Sequence, residues 1–548
     1  MKKMVVAIIV IVILLTTSMA SVNAFRVNKG TEYVKTTEPS FHAITVPFAN
    51  IYVDDDALPG GDGSFEHPFQ TITEGIDASE DGDRVFVFNG TYISSNPITV
   101  TKSINLIGED PDSTIIDLGF EIECADYVTV SGFTAKNWGI RFWHSSHGTI
   151  RGNILLEQGG IQLSNCSNCV VSDNFISPYL DNGITITTDS ISNTISSNYI
   201  SGVNEHGIDI SKSNDVFITD NFIIDSDDNG INVYSAESII ISDNTIINND
   251  QGIKLWTASN SSVIGNTITN NNNGIDVANS ESLTISNNIA SNNDQNGIDV
   301  YVSENIAISH NTLTNNDMHG IDISNSDDLV ISNNSISNNY AHGISVCFSN
   351  NNDIVDNIVK NNADGIYLYE SHENTVDNNE IKDNYYRGIV IEGRIISNIV
   401  SKNIIENNNY GLELKGFIDP NAEPGEKSRI PINNKIIANN IEDNVDYGIY
   451  SNYLTLANYI YYNNFINNNQ NARDTGTNTW YKMELTGSLG NYWDDYDGED
   501  SDGDGVGDTS YIIPPYNLIN NDQFPLMEEC NQSQPSSQPS APSNPNNN

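Results

Sequence analysis

The sequence predicts an all-β protein, a right-handed single-stranded parallel β-helix with one N-terminal capping helix. Three observations lead there. The pair Gly-Ile recurs from Gly139 to Gly448 (as Gly-Leu at Gly411) at spacings of 21 to 24 residues, broken by one 37-residue gap after Gly411. A second marker, an Asn followed two residues later by an apolar residue, runs in step from Asn153 through Asn244, Asn266 and Asn287 to Asn464. Two registers that agree define a repeat array. Within one unit, Gly230–Asn244, the apolar residues Ile231 and Val233 alternate with Asn232 and Tyr234 before a Ser-Glu break and a second apolar run at Ile239–Ile241. That is period-two patterning cut by turns, with no stretch long enough for a helix.

A leucine-rich repeat is the main competitor, because I-x-I-x-x-N-x-I imitates its phrase at a similar period. Here Ile and Val stand for Leu, and the other half-repeat is rich in Asn and Gly where that fold packs a helix. In a β-helix the Asn residues stack inside a turn, each amide donating to one neighbouring coil and accepting from the other. The Gly before each Ile is expected where φ is positive or where no Cβ fits.

Taken in order, the chain opens with Met1-Lys2-Lys3, an apolar run from Met4 to Leu15 and small residues up to Ala24, the layout of a Sec signal peptide over 1–24. The run is too short to span a membrane comfortably, so the mature protein is expected to be extracellular or at the cell surface and not membrane-spanning. Residues 25–50 read as a leader and 51–138 as the N-terminal cap with the first coils. Apolar residues at Phe69, Ile72 and Ile76 give a helical rhythm over Pro68–Ser79, followed by strands at Arg84–Phe88, Ile98–Val100, Ile104–Ile107 and Thr114–Ile116. The repeat coils occupy 139–466. The long gap holds Asp419–Gly425, a loop thrown out from one corner. A C-terminal cap is expected over 467–527, and 528–548 is a Pro/Ser/Asn tail too polar to fold, suited to a surface-anchoring partner.

The balance of 72 Asp plus Glu against 23 Lys plus Arg, net charge −49, argues against nucleic acid and anionic lipid as partners. Asp500, Asp502, Asp504 and Asp508, with Gly505 between them and the Val506 carbonyl, follow the spacing of a calcium loop. Tyr511 stands where an EF-hand has Glu, so a further ligand must come from elsewhere, with Asp494, Asp495 and Asp497 nearest in sequence. The plainer alternative is a solvated acidic turn.

The residue after each Gly-Ile should point outward, and that column reads Asp209, Asn232, Lys254, Asp276, Asp299, Asp322, Ser345 and Tyr367. His206, His319, His342 and Arg387 precede a Gly, while Trp143, Tyr234, Trp256, Tyr301 and Tyr369 lie two positions further on. Acids, imidazoles and exposed rings on one face suit a polysaccharide or cell-envelope glycan. Tyr234, Trp256 and Tyr301 are the candidate stacking residues, and Asp276, Asp299, Asp322 and His319 the candidate catalytic ones. A glycosidase needs two carboxylates about 5–9 Å apart, which any acid column supplies, so the residues put a plain solvated acidic face first, glycan binding second and catalysis last. Cys166 and Cys169 read as a local disulfide or two packed thiols.

The repeat, the opening phrase from Ile51 and the closing phrase Asn491-Tyr492-Trp493-Asp494-Asp495-Tyr496 with Phe524-Pro525-Leu526-Met527 resemble the NosD group of secreted β-helix proteins, archaeal in type. Their repeat domain is also known as a carbohydrate-binding and sugar-hydrolase domain. The resemblance covers about Ile51–Met527 and implies a pectin-lyase-like solenoid. Its name also implies copper. The sequence argues against copper, because Met318, Met483 and Met527 are far apart and no His-rich motif exists. The alternatives to glycan binding are a lyase, epimerase or hydrolase working in a groove, and a copper-processing role.

Overall fold

The computed structural model describes residues 49–178, 181–423, 427–483, 487–515 and 520–531, within one compact unit that starts at Phe48. The signal peptide and nearly all of the leader and the tail lie outside the described residues. The unit is a parallel β-solenoid of about 17 coils. Each coil passes through three sheets in turn. In one coil, Ile231–Tyr234 belongs to what we term the third sheet, Ile240–Ser242 to the first and Thr245–Ile247 to the second, before Gln251–Trp256 starts the next coil. Every strand pairs in parallel with its counterpart one coil away, as Ile231 does with Ile253 and Ile241 with Val263. The first sheet reaches 19 strands among the described residues.

The interior is built by repetition. Ile208, Ile231, Ile253, Ile275, Ile298, Ile321 and Ile344 are all fully buried, so like stacks on like along the axis. Gly139 has a positive φ of 75°, whereas from Gly160 onward the Gly before Ile is required by space, not by a left-handed φ. A Cβ built on Gly230 would lie 2.5 Å from Ile246 Cγ2 and 2.7 Å from the Gly252 carbonyl oxygen.

The Asn ladder is present, and two of its expected rungs are corrected. Asn244 Nδ2 donates to Asn266 Oδ1 at 3.0 Å, and Asn266 Nδ2 to Asn288 Oδ1 at 3.0 Å, so the rung is Asn288, not Asn287. Asn463 likewise replaces Asn464, taking part with Asn439 and Asn491. The slip arises in Asn-Asn pairs. Ala290 faces the core and is fully buried, but it is too small to mark its strand as apolar from the sequence. Asn287 serves the turn at φ 57°, the left-handed region that Asn tolerates better than most residues. A second ladder, Asn249–Asn271–Asn293–Asn316–Asn339, runs at the next corner.

Both ends are closed. The helix Ile72–Ala78 begins later than its apolar rhythm suggests, because Phe69 is held by Tyr52 and Asp54 in an extended bridge to the first strand. Thr71 and Glu74 then form a capping box, and Ile72 and Ile76 cover the core. At the other end Asn491 forms the last rung of the ladder and Trp493 stacks on Phe465 at 4.3 Å. Buried Asp522 accepts from the Asn491 N–H and from Trp493 Nε1. The loop after Gly411 contains a short hairpin, Phe417–Ile418 with Ser428–Arg429.

Candidate functional site

On the outer face of the third sheet the expected column is in register, with Asp209, Asn232, Lys254, Asp276, Asp299, Asp322, Ser345 and Tyr367 directly opposite one another on successive strands. Neighbours are therefore about 4.8 Å apart along the axis. Lys254 Nζ lies 3.9 Å from Asp276 Oδ2. Among the described residues no cation pairs with Asp299. Burial first, then the charges of Asp322 and Asp276, push its carboxyl up to about 7. Burial also raises Asp276, against the pull of Lys254.

Tyr234, Trp256 and Tyr301 line one edge of this face, with Ala278 between the last two. They are 46%, 44% and 50% exposed, and none stacks on another ring. Only Lys254 approaches, 5.7 Å from the Trp256 ring. About half of each of these residues is exposed to solvent. Phe175, Tyr199 and Phe222 on the second sheet differ, because they stack on one another at 5.2 and 5.3 Å and offer mainly edges.

Further along, the structure assembles a group that the sequence left scattered. His319 and His342 stack at 4.9 Å, and His342 stacks on Tyr367 at 4.5 Å. His319 Nδ1 accepts from the His342 backbone N–H at 3.2 Å, which leaves the proton of the neutral ring on Nε2, facing away from that contact. Burial lowers its pKa to about 4, so the ring is neutral at pH 7. His342 Nδ1 is 3.0 Å from Asp364 Oδ2, a contact that pairs opposite charges only when the imidazole is protonated. Arg387 grips Asp364 through Nε and Nη2 at 2.7 and 2.9 Å and reaches Glu413 through Nη1 at 2.7 Å. Although burial works the other way, His342 and Arg387 hold the Asp364 carboxyl below its usual range. The sequence missed Asp364 and Glu413. The available signal was an Asp-Gly and an Arg-Gly in consecutive coils, opposite charges at one repeat position.

Tyr386, Arg387, Asn409, Tyr410 and Glu413 line a shallow cleft here. Met318, Tyr340 and Tyr385 stand exposed along the same edge. The cations of this stretch are spoken for by acids: Lys254 by Asp276, Arg387 by Asp364 and Glu413, and Lys415 by Glu392.

At the C-terminal cap, carboxylate oxygens of Asp500, Asp502 and Asp504 lie within 4.8 Å of one another. Backbone N–H groups of Gly503 and Gly505 donate to Asp500, and that of Val506 to Asp504. Asp508 is turned to the Ser501 N–H. Asp494 and Asp495 are engaged by Asn471, and Asp495 also by Tyr511, whose ring stacks on Trp493.

These features define a right-handed parallel β-helix protein with a long, acidic, ring-edged outer face. The chain belongs to the NosD family: the profile described as periplasmic copper-binding protein (NosD) matches residues 76–246 and 338–498, and a right-handed β-helix profile matches 182–328. No curated protein sequence matches the chain. Among solved structures it is similar to the mannuronan C-5 epimerase AlgE6 A-module of Azotobacter vinelandii. The identity is 15% and the TM-score 0.31, over 75% of this chain and 93% of that one. It is also similar to an alginate lyase of Paenibacillus sp. FPU-7 (15%, 0.35, 46% and 97%) and to the surface adhesin PfbA of Streptococcus pneumoniae (14%, 0.36, 59% and 93%). Likenesses this distant speak to the fold alone.

The family description counts against the sequence-based argument excluding copper. Copper takes imidazole nitrogen and soft sulfur. Among the described residues, the groups of three or more His, Cys, Asp or Glu that converge are Asp500–Asp502–Asp504 and Asp54–Asp55–Asp56, all oxygen donors. The stacked His319 and His342 rings present parallel faces, and His319 keeps its outer nitrogen protonated. The His pair therefore does not fit copper. The soft donors Cys166 and Cys169 are free thiols, both buried and both directed at backbone carbonyl oxygens.

Proposed function

We propose that this protein binds carbohydrate outside the cytoplasm, along the outer face of the third sheet from Tyr234 to Glu413. The observation that carries the reading is the half-exposed set Tyr234, Trp256 and Tyr301 beside the in-register acids Asp276, Asp299 and Asp322. Sugar rings stack on exposed aromatic faces while their hydroxyls donate to carboxylates, and a strand-spaced ladder repeats both along a polymer. The charge favours neutral glycans over polyuronates, since the cations of the face are already paired and the acids would repel a polyanion. The Asp500–Asp504 loop holds calcium in this reading, its oxygen donors suiting that ion, and calcium stabilises the C-terminal cap. A glycan array probed with and without calcium tests both parts. Retention of neutral glycans that Trp256→Ala removes supports the reading, and retention confined to polyuronates contradicts it.

A second reading, catalysis, is favoured by one observation: the His342–Asp364–Arg387 network breaks the monotony of the acid ladder, as working sites do. Here His342 is the acid–base group and Asp364 orients it. Release of reducing or unsaturated ends from a bound glycan, abolished by His342→Ala and by Asp299→Asn, would establish it. Binding without release leaves the first reading standing alone.

A further inference from the structure

We propose that the glycan bound on this face carries free amines: a polymer of 2-amino-2-deoxy sugars whose ammonium groups are held by acids on both sides of the Tyr234–Trp256–Tyr301 edge. The proposal rests on the carbohydrate reading above and names the ligand class for it. On the sheet side of the edge stand Asp276, Asp299 and Asp322, level on successive strands. On the other side the chain turns a corner, and there Glu281, Glu304 and Asp327 are again level, joined coil to coil by parallel bridges. These three help to line an open groove of about 560 Å³. Thr257, Asn279 and Val302 line it too, and they directly follow Trp256, Ala278 and Tyr301 in the chain, so the groove runs beside the rings. Of the six acids, only Asp276 has a Lys or Arg at ion-pair distance among the described residues.

A row of acids alone marks no more than a solvated surface, but here the protein also displays the group that the row accepts. Lys254 Nζ lies 5.7 Å from the centre of the Trp256 ring and 3.9 Å from Asp276 Oδ2, an ammonium shared between an aromatic ring and a carboxylate of the next coil. Both attractions are those that hold an amino sugar. At Tyr301 the same arrangement recurs without its cation. Asp299 stands in the place of Lys254, Asp322 in the place of Asp276, and the chain supplies no ammonium between them. The ligand supplies it.

The geometry of the coils fits such a polymer. Their spacing of about 4.8 Å is close to the advance of one sugar in an extended β-1,4-linked chain. Successive sugars in that chain are flipped, so their amines project alternately to the two sides, and acids stand on both. Trp256 and Tyr301 are two coils apart with Ala278 between them, the interval at which the same sugar face returns. The exposed Thr257 and Asn279 side chains are left for the sugar hydroxyls. Acetylating the amines removes the charge that the two acid rows select.

The test is isothermal titration of the full-length protein, at low salt and at a pH where the amines are protonated, with a β-1,4-linked glucosamine oligomer and with the same oligomer fully N-acetylated. The free-amine form should bind at least about tenfold more tightly, and the difference should shrink as salt is added. Glu281→Gln combined with Glu304→Gln should erase most of that difference and leave the affinity for the N-acetylated form unchanged. Both side chains are exposed, so the substitutions are compatible with the fold, and an unchanged melting curve checks this. Trp256→Ala should weaken binding of both oligomers. Equal affinity for the two overturns the amine proposal and leaves the carbohydrate reading standing, whereas binding of neither removes both. A preference that survives the paired Gln substitutions together with Asp299→Asn, or that Trp256→Ala does not touch, is adsorption by net charge and overturns the proposal as well.

Discussion

Replacing Asn288 with Ala tests how the solenoid is held together. Asn288 Nδ2 donates to the Val263 carbonyl at 2.9 Å and to Asn311 Oδ1 at 3.0 Å, while its Oδ1 accepts from the Asn266 N–H at 2.9 Å and from Asn266 Nδ2 at 3.0 Å. Removing the side chain leaves the Val263 carbonyl and the Asn266 N–H buried without these partners. Asn266 Nδ2 keeps the carbonyls of Ile241 and Ile264. At about 1–3 kcal/mol for each orphaned group, the expected loss is about 2–6 kcal/mol. Coils contact only their neighbours, so the loss should be local. Hydrogen exchange read by mass spectrometry should show faster exchange in peptides spanning 244–311 and unchanged protection near 150 and 440. The adjacent Asn287→Gly is the control, since that side chain is exposed and its φ is positive. It should be close to neutral. Equal effects from the two substitutions would refute the ladder register.

Further expectations concern ions and charge. Chelation of calcium should lower the melting temperature, and Asp502→Ala with Asp504→Ala should remove the calcium-dependent part; a full calcium response in that variant places the ion elsewhere. Arg387→Ala strips the cation from Asp364, which is 2% exposed, and should cost about 3–5 kcal/mol in denaturant unfolding; a loss under 1 kcal/mol would show the network to be ornamental. For pH, Asp299 is raised to about 7 in the fold, so the stability it contributes below its unfolded value of about 4 is lost as pH climbs to 7. His319, lowered to about 4, works in the opposite sense, contributing stability above about 6.5 that is lost as pH falls towards 4. The two slopes oppose each other between pH 4 and 6.5. Asp299→Asn should therefore unmask a stability that rises with pH across that window, and a flat or falling profile would contradict the assignment.

The architecture was legible because its causes repeat. A Gly that must lack a Cβ and an Ile that must point inward recur every coil, and any outward residue such as Asp276 or Asp299 can be placed by counting from them. Reading failed where neighbouring residues compete for one role. In Asn287-Asn288 one residue bridges coils and the other turns the chain, and only the burial of Ala290 distinguishes them. It failed again where function depends on residues brought level across coils. His342, Asp364 and Arg387 are separated by 22 and 23 residues, and nothing in the local pattern announces that they meet. The closing Asn-Tyr-Trp-Asp phrase carries part of the family resemblance, yet its physical meaning emerges only with the fold: Asn491 completes the ladder and Trp493 seals the end of the core.

The most direct test of the central claim is isothermal titration of the full-length protein with the neutral oligosaccharide best retained on a glycan array, repeated for Trp256→Ala, Tyr234→Ala and, on the second sheet, Tyr199→Ala. The account expects binding to weaken at least tenfold in the first two and to stay within twofold of the parent in the third. Unchanged affinity in both third-sheet variants, or loss only in Tyr199→Ala, would contradict it.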